Sequence, residues 1–333
     1  MNSWQKQFTL EHLGAAAACY GIAEHDISKF GGFENLVYAM NDNGRDTILR
    51  VTHDSHRTER QLQAELNFVA YLAEHNVNVC KPLPSPGGRL LERIPYEGGT
   101  FLLTAFEKAP GGHIHGGQSE WNDSLFQEWG RITGLMHECA VNYSVPAGEP
   151  DRITEDELPY QPTDASPAEE QLLYQAFKKR EEQILRLPRE KDSYGLCHRD
   201  LHHGNFYVHN GVIFAFDFDD CGYDYFVQDV AMAVYYASTF SQWSKPAASR
   251  EETTERANRF FVGFMEGYNQ IRPIDSYWMK QLPLFIEKRR IDLCAILWEE
   301  WGNGTQEQRH WLRWNIDGIA DEQPCMDLEP GWF

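Results

Sequence analysis

Cys197-His198-Arg199-Asp200-Leu201-His202-His203-Gly204-Asn205 runs directly into Phe206-Tyr207-Val208-His209, Asn210-Gly211 and Val212-Ile213-Phe214-Ala215-Phe216, and this stretch decides how the 333-residue chain folds. Asn-Gly between two β-prone runs marks a two-residue hairpin, because both turn residues can take positive φ. A turn at 210–211 opposes 209 to 212 and, counting outward, 205 to 216. Asn205 is therefore expected at the end of the second strand, where Asp217-Phe218-Asp219-Asp220 begins. An acid in a loop, a neutral amide and a group of carboxylates would then converge from separate stretches.

His198-Arg199-Asp200-Leu201, with Asn205 five residues after Asp200, matches the pattern H-R-D-L-x-x-x-N at every fixed position. That pattern belongs to phosphoryl transfer, which is mainly positioning and charge neutralisation, with Mg²⁺ bridging the phosphates. A hard cation takes oxygen ligands, so Asn205 and Asp217 are the metal candidates and Asp219 a further one. Asp200 is the residue to accept, or at least orient, the proton of the attacking hydroxyl. A lone H-x-D is a weak motif, but here the triplet, the asparagine, the hairpin and Asp217-Phe218-Asp219-Asp220 coincide. With Asp200 filling the base's role, His198 is read as a residue that packs the loop.

The stretch resembles the aminoglycoside phosphotransferase family, the branch of the protein-kinase-like fold that also holds choline kinases and type II homoserine kinases. It is similar as well to a bacterial stress-response Ser/Thr kinase built on the same fold. Members read His-x-Asp-x-x-x-x-Asn, a hairpin, then Asp-x-Asp/Glu. The resemblance spans roughly residues 15–300 and is most specific over 198–231. It implies an α+β, two-lobed protein-kinase-like fold: a small β-rich nucleotide-binding lobe over 1–107 and a larger helical catalytic and substrate-binding lobe over 108–333. ATP and Mg²⁺ are the implied cofactors. In the resembling family an acid at the position of Asp229 opens a helix and braces the catalytic loop. Arg199 departs from the glycine usual at its position.

Fifty acidic against thirty basic residues give a net charge of −20, which disfavours nucleic acid and anionic membranes as partners. The seven scattered cysteines include no CxxC pair, the pattern of reduced thiols in a cytoplasmic protein rather than a disulfide or zinc framework. The start of the chain shows no signal-peptide pattern, and the longest uncharged apolar run, 13–23, is too short to span a bilayer.

Taken in order, 9–23 reads as a helix ending near Gly21, and 33–40 and 45–51 read as strands. Gly31-Gly32 falls before the first of these, where the implied fold covers the ATP phosphates with backbone N–H groups, so Gly32 is a nucleotide-contact candidate. Arg50 stands where the kinase pattern has lysine, a second departure, since arginine is no simple substitute for it. Residues 57–75 read as a helix with Leu62, Leu66, Val69 and Ala73 as its apolar stripe. Glu65 flanks that stripe, and the fold implies that it holds Arg50 in place. Strands are expected at 90–92 and 100–106. Beyond them the fold implies adenine docking on backbone groups near Ala105 to Glu107, in the cleft between the lobes.

His113-Ile114-His115, without further ligands, reads as exposed loop. Helices are expected over 124–143 and 168–187. Between them, 149–170 carries eight acidic residues against Arg152 and reads as a solvated connection. The tryptophans at 278, 298, 301, 311 and 314 read as helical packing rather than a cage for a quaternary amine.

The sequence thus points to an ATP-dependent phosphotransferase acting on a small-molecule hydroxyl, with homoserine, choline or another amino alcohol or sugar as acceptor types. Two alternatives stay open: a Ser/Thr protein kinase of the stress-response type, and a non-catalytic nucleotide-binding module motivated by Arg50. Asp217 lies only twelve residues before Asp229, no Ala-Pro-Glu occurs, and 220–226 holds no Ser or Thr, which argues against a regulated protein kinase. The oligomeric state is not encoded in any pattern of the sequence.

Overall fold

A computed structural model describes residues 3–32, 34–42, 44–152, 161–242, 245–247 and 249–329. The chain divides into two units. Unit 1 comprises Met1–Pro110, Tyr143–Ile153 and Phe214–Asp219, and unit 2 comprises Gly111–Asn142, Thr154–Ile213 and Asp220–Phe333.

Unit 1 opens with helix α1 (Leu10–Tyr20), which stops at Gly21 in the left-handed conformation, φ 68°. Strands β1 (Ile27–Gly31), β2 (Leu36–Asp42) and β3 (Arg45–His53) come next, then helix α2 (Glu59–Glu74), then β4 (Pro82–Leu83), β5 (Leu91–Tyr96) and β6 (Gly99–Glu107). The sheet runs β1-β2-β3-β6-β4, with β5 also on β6, and every pairing is antiparallel. β1 was not foreseen from the sequence, and it corrects the reading of Gly31-Gly32: Gly31 closes β1, and Gly32 begins the turn into β2.

Alternation along β3 sorts its side chains between the two faces of the sheet. Leu49 and Val51 point to the face covered by Ala16, Ala17 and Tyr20 of α1, where Phe101 and Leu103 join them. Arg50, one residue out of phase, must leave by the other face. That face is covered by α2, where Leu62 and Leu66 pack on Leu91 and Leu102. Thr58 starts α2 with a capping box closed by Gln61.

Unit 2 contains helices α3 (Asp123–Asn142) and α4 (Ala168–Ile184), strand β7 (Tyr194–Cys197), and the hairpin strands β8 (Phe206–His209) and β9 (Val212–Ala215). The last residues of β9 belong to unit 1, where Ala215 hydrogen-bonds Asn78 and Cys80. The hairpin turns at Asn210 and Gly211 with φ of 51° and 78°, as an Asn-Gly turn requires. Strand β10 (Gly222–Tyr225) pairs antiparallel with β7 and leads straight into α5 (Phe226–Thr239). α6 (Arg250–Asn269), α7 (Ser276–Met279), α8 (Leu282–Gly302) and α9 (Gln306–Ala320) complete the unit.

α3 and α6 meet through glycines at four-residue spacing on both, Gly130 and Gly134 against Gly263 and Gly267. A Cβ at Gly130 would overlap the Phe264 carbonyl, and one at Gly267 would overlap that of Gln127. This close approach sets His137 of α3 against Tyr268 of α6. The tryptophans pack: Trp278 and Trp311 are buried, and Trp301 lies 5.2 Å from Trp311.

Candidate active site

In unit 1, Arg50 Nη1 and Nη2 donate to Glu65 Oε1 and Oε2 at 2.8 and 2.7 Å, a bidentate pair buried at both ends. Glu65 lies within the buried stripe of α2 rather than beside it, 1% exposed between Leu62, Leu66 and Val69. Burial opposes the Arg50 charge, but Glu65, then Asp219 and Asp217, more than offset it and push its pKa up.

Asp219 lies in the same cationic surroundings. Its Oδ2 accepts from His56 Nε2 at 2.9 Å and Arg57 Nε at 3.2 Å, and its Oδ1 is 3.9 Å from Arg50 Nη1. Burial would raise its pKa, yet His56, Arg50 and Arg57 together hold it well below the usual carboxylate range. Arg152 donates to the Asp219 carbonyl and, at 2.9 Å, to that of Gln61. It is buried, which corrects the reading of its segment as solvated at that point, while residues 153–160 lie outside the described residues.

Asp217 takes the left-handed conformation, φ 63°, a strained choice for an aspartate that marks a backbone held in place by its surroundings. Gly32 has φ 109°, and a Cβ there would overlap the Asn35 carbonyl, so only glycine fits this turn. The backbone at Ala105 and Glu107 is committed to the sheet. Ala105 registers with Leu49 and Leu83, and the Glu107 N–H donates to the Lys81 carbonyl at 2.9 Å.

In unit 2 the loop after β7 hangs from Asp229, in the first turn of α5. Asp229 Oδ2 accepts from the His198 N–H at 2.9 Å, and Oδ1 from the Arg199 N–H at 2.7 Å. His137 Nε2 lies 3.1 Å from Asp229 Oδ2, and its Nδ1 lies 2.8 Å from Tyr268 Oη. An ionised Asp229 can only accept, so Nε2 carries the proton and Nδ1 accepts from the tyrosine. Burial keeps the His137 pKa low, and Asp229 only partly counters it. His198 closes the loop from inside, its Nδ1 accepting from the Asp200 N–H at 3.3 Å.

Arg199 has φ 67°, which supplies a physical reason for the glycine usual in the resembling family. Its Nε donates to Asp224 Oδ2 at 3.1 Å, an ion pair that holds the strained residue in place.

Asp200 accepts twice from Asn205 Nδ2, on its backbone oxygen at 2.9 Å and on Oδ2 at 2.8 Å. His202 Nε2 lies 3.4 Å from Oδ2, and Arg289 Nη2 lies 3.4 Å from Oδ1. Burial raises the Asp200 pKa, but His202, Arg289 and His198 together lower it, so the carboxylate is ionised at neutral pH.

Donor chemistry tests whether these residues suit a divalent cation. Asn205 turns its amide nitrogen to Asp200, so its Oδ1 faces away and takes part in no hydrogen bond among the described residues. Asp219 Oδ1 is buried without a hydrogen-bond partner. An amide oxygen and carboxylate oxygens fit a hard cation. The cations around Asp219 already balance its charge, which makes it the least suited of the three candidates.

A model of the phosphotransferase enzyme family matches residues 26–273. The chain belongs to that family. Amicoumacin kinase of Bacillus subtilis (strain 168) is 34% identical over 288 residues, covering 86% of this chain and 83% of its own. A solved amicoumacin kinase in complex with AMP-PNP, Ca²⁺ and Ami superposes with a TM-score of 0.85 at 30% identity, over 99% of this chain and 98% of that one. A microcompartment-associated aminopropanol kinase, 22% identical, shares the fold with a TM-score of 0.70 over 94% of each chain.

This member of the family is therefore a kinase: it transfers phosphate from ATP to a hydroxyl of a small molecule, on an α+β, protein-kinase-like fold. A nucleotide and a divalent cation accompany that chemistry in the solved relative. Among the described residues, no helix is long and apolar enough to cross a membrane.

His56, Arg57 and Arg152 around Asp219, and His137, His202, Tyr236 and Arg289 around the catalytic loop, were not singled out from the sequence as site residues. Only a buried carboxylate pattern could have pointed to the first group, and nothing local marks the second. His113 is exposed, as the sequence reading expects, and lies edge-on to Tyr207 at 4.6 Å, whereas His115 is half-buried.

Proposed function

We propose that the acceptor is amicoumacin or a close chemical relative, and that transfer runs from ATP with Mg²⁺. Two relatives at 30% identity or more, aligned over most of both chains, carry that activity in their names and support the reading. The observation that carries the assignment of chemistry to residues is the Asp200–Asn205 pair on a loop suspended from Asp229.

Asp200 is assigned to the acceptor hydroxyl. Because its pKa is held down, it orients the hydroxyl and takes its proton late, as the new bond to phosphorus forms. Asn205 and Asp217 are the metal ligands, with Asp219 mainly a clasp for His56, Arg57 and Arg50. The bound cation neutralises phosphate charge. Arg50, held by Glu65, grips phosphate, and the backbone of the Gly32 turn contributes N–H groups. With the Glu107 N–H already used, the adenine edge meets the backbone just beyond it, from Lys108 onward. His198 and Asp229 support the loop. We assign 1–107 to nucleotide binding and 108–333 to catalysis and acceptor binding.

β10 pairs with β7 directly after Asp220 and Cys221, which leaves little chain for the long activation segment of a regulated protein kinase and favours a compact acceptor. The free cysteines suit a reducing, cytoplasmic setting. The test is ATP, Mg²⁺ and a panel of amicoumacin A, 1-amino-2-propanol, choline, homoserine and an aminoglycoside, read by ADP release and by mass gain of the acceptor. Saturable phosphorylation of amicoumacin A is expected. Transfer to protein substrates with no turnover of any small molecule would overturn the reading.

A further inference from the structure

A half-buried cation beside Asp200, Arg289, helps keep that carboxylate ionised yet holds donors that the phosphotransfer chemistry assigned above does not use. Arg289 of α8 donates from Nη2 to Tyr236 Oη at 2.5 Å, and its guanidinium lies 5.2 Å over the Tyr236 ring. Tyr236 is itself fixed by stacking on His202, ring centroids 4.6 Å apart. The guanidinium is thus pinned on one side, with the same Nη2 lying 3.4 Å from Asp200 Oδ1.

A guanidinium offers five N–H donors. Here Nε is buried without a hydrogen-bond partner, and Nη1 has no partner among the described residues yet is not closed off from solvent. Leaving the buried Nε–H unused costs stability and calls for an explanation. Holding Asp200 in place does not supply one. Asn205 already bonds that carboxylate at 2.8 Å, and a second cation beside it makes it a weaker base. Arg50 and Glu65, assigned to the nucleotide, belong to unit 1, whereas Arg289, Tyr236 and Asp200 belong to unit 2, as does the proposed cation ligand Asn205.

We propose that Arg289 determines acceptor specificity by donating from its open edge to a carbonyl, carboxamide or carboxylate oxygen carried next to the reacting hydroxyl. The inference rests on the assignment of Asp200 to that hydroxyl. With the guanidinium and the Asp200 carboxylate side by side, an oxygen held by the one and a hydroxyl held by the other belong to neighbouring groups of one small acceptor, as in an α- or β-hydroxy carbonyl compound. A planar, permanently charged fork suits such an oxygen, where a plain amino alcohol offers it nothing. The preferred acceptors are hydroxy acids and hydroxy amides.

The test compares two acceptors that differ only beside the hydroxyl, 1-amino-2-propanol and 3-amino-2-hydroxypropanamide. The wild type is expected to favour the amide by about 30-fold in kcat/KM, the size of one charge-assisted hydrogen bond. Arg289→Met should erase that preference: any change it makes at Asp200 acts on both acceptors alike, while the amide loses about 30-fold more in kcat/KM than 1-amino-2-propanol, most of it in KM. Arg289→Lys should recover part of the loss.

Melting temperature and ATP affinity report whether each variant folds. Should Arg289→Met fail to fold, Tyr236→Phe removes the oxygen that pins the guanidinium and should raise the amide's KM several-fold. If the wild type turns over neither compound, both are titrated as inhibitors against the acceptor it does use, and the amide must bind tighter by the same factor. Equal losses on both acceptors, a loss in kcat alone as expected of a group acting on the transferring phosphoryl, or no amide preference would overturn the inference and leave the kinase assignment standing. A chain that binds ATP but phosphorylates no acceptor loses both.

Discussion

In unit 1 the buried carboxylates of Glu65 and Asp219 face Arg50, Arg57 and His56, whereas in unit 2 the buried Asp229 and half-buried Asp200 face His137, His202, Asn205 and backbone N–H groups, with Arg289 as the added cation. Arginine stays charged at any working pH, so the Arg50 and Arg57 contacts of unit 1 are permanent and only the His56 contact to Asp219 responds to pH. Imidazole and amide partners hold a carboxylate by direction more than by charge, which suits a loop that must present Asp200 at one angle. On the roles we propose, the first arrangement fixes a charge for phosphate and the second a geometry for a hydroxyl.

Substitutions that act on one unit's task and not the other's put this contrast at risk. Asp200→Asn keeps the shape of the loop and should lower kcat by up to about ten-thousandfold while leaving ATP affinity within about threefold. Calorimetry with ATP beside an ADP-release assay checks both, and turnover within tenfold of wild type would break the comparison.

Glu65→Ala leaves the buried Arg50 guanidinium with only Asp219 and Asp217 as partial counter-charges and should cost about 3 kcal/mol of unit 1 stability, together with nucleotide affinity. The double variant with Arg50→Met should lose less than the two single losses summed, because both residues belong to one ion pair. Denaturant melts of the three variants decide it, and full additivity would show that the pair is not coupled.

A change of pH sharpens the contrast. Burial holds the His203 pKa down to about 2, with His202, His115 and His113 adding to the effect, and burial lowers that of His137 too. A group depressed in the folded state contributes stability that is lost as pH falls below its unfolded value, near 6.5. His56 of unit 1 behaves oppositely: burial works against its charge, but Asp219 outweighs that and raises its pKa, so its contribution is present in acid and lost as pH rises. Between pH 7.5 and 5.5, His203 alone should remove about 1.4 kcal/mol from unit 2. Amide exchange corrected for intrinsic rates should show protection falling in unit 2 and not in unit 1.

The smallest effect is expected at Arg199. Arg199→Gly relieves a left-handed arginine and removes its ion pair with Asp224, two terms of opposite sign, so stability should change by no more than about 1 kcal/mol. A larger loss in a urea melt would show that Arg199 holds the loop by more than its backbone conformation.

Local patterns were legible where the physics is local. The Asn210-Gly211 hairpin, the stop of α1 at Gly21 and the strands on either side of 98–99 rest on conformations that few residues adopt. β1 was missed because Ser28, Lys29 and Phe30 are exposed and show no apolar alternation, so its strand state comes from pairing with β2. Glu65 could be placed near Arg50, but its full burial could not be read, since a single glutamate on a helix is normally solvated.

What the sequence alone determined is the hairpin, and with it the proposed set of acid, amide and carboxylates at Asp200, Asn205, Asp217 and Asp219, because their order and spacing are themselves the pattern. Tertiary structure decided which partners those groups keep. His56, Arg57 and Arg152 reach Asp219 from 163, 162 and 67 residues away, and Arg289 reaches Asp200 from 89. The glycines at 130, 134, 263 and 267 let α3 and α6 approach until His137 and Tyr268 meet, and His137 then steadies Asp229 beneath the loop. No local propensity encodes such contacts, because each depends on two elements burying the same surface at once.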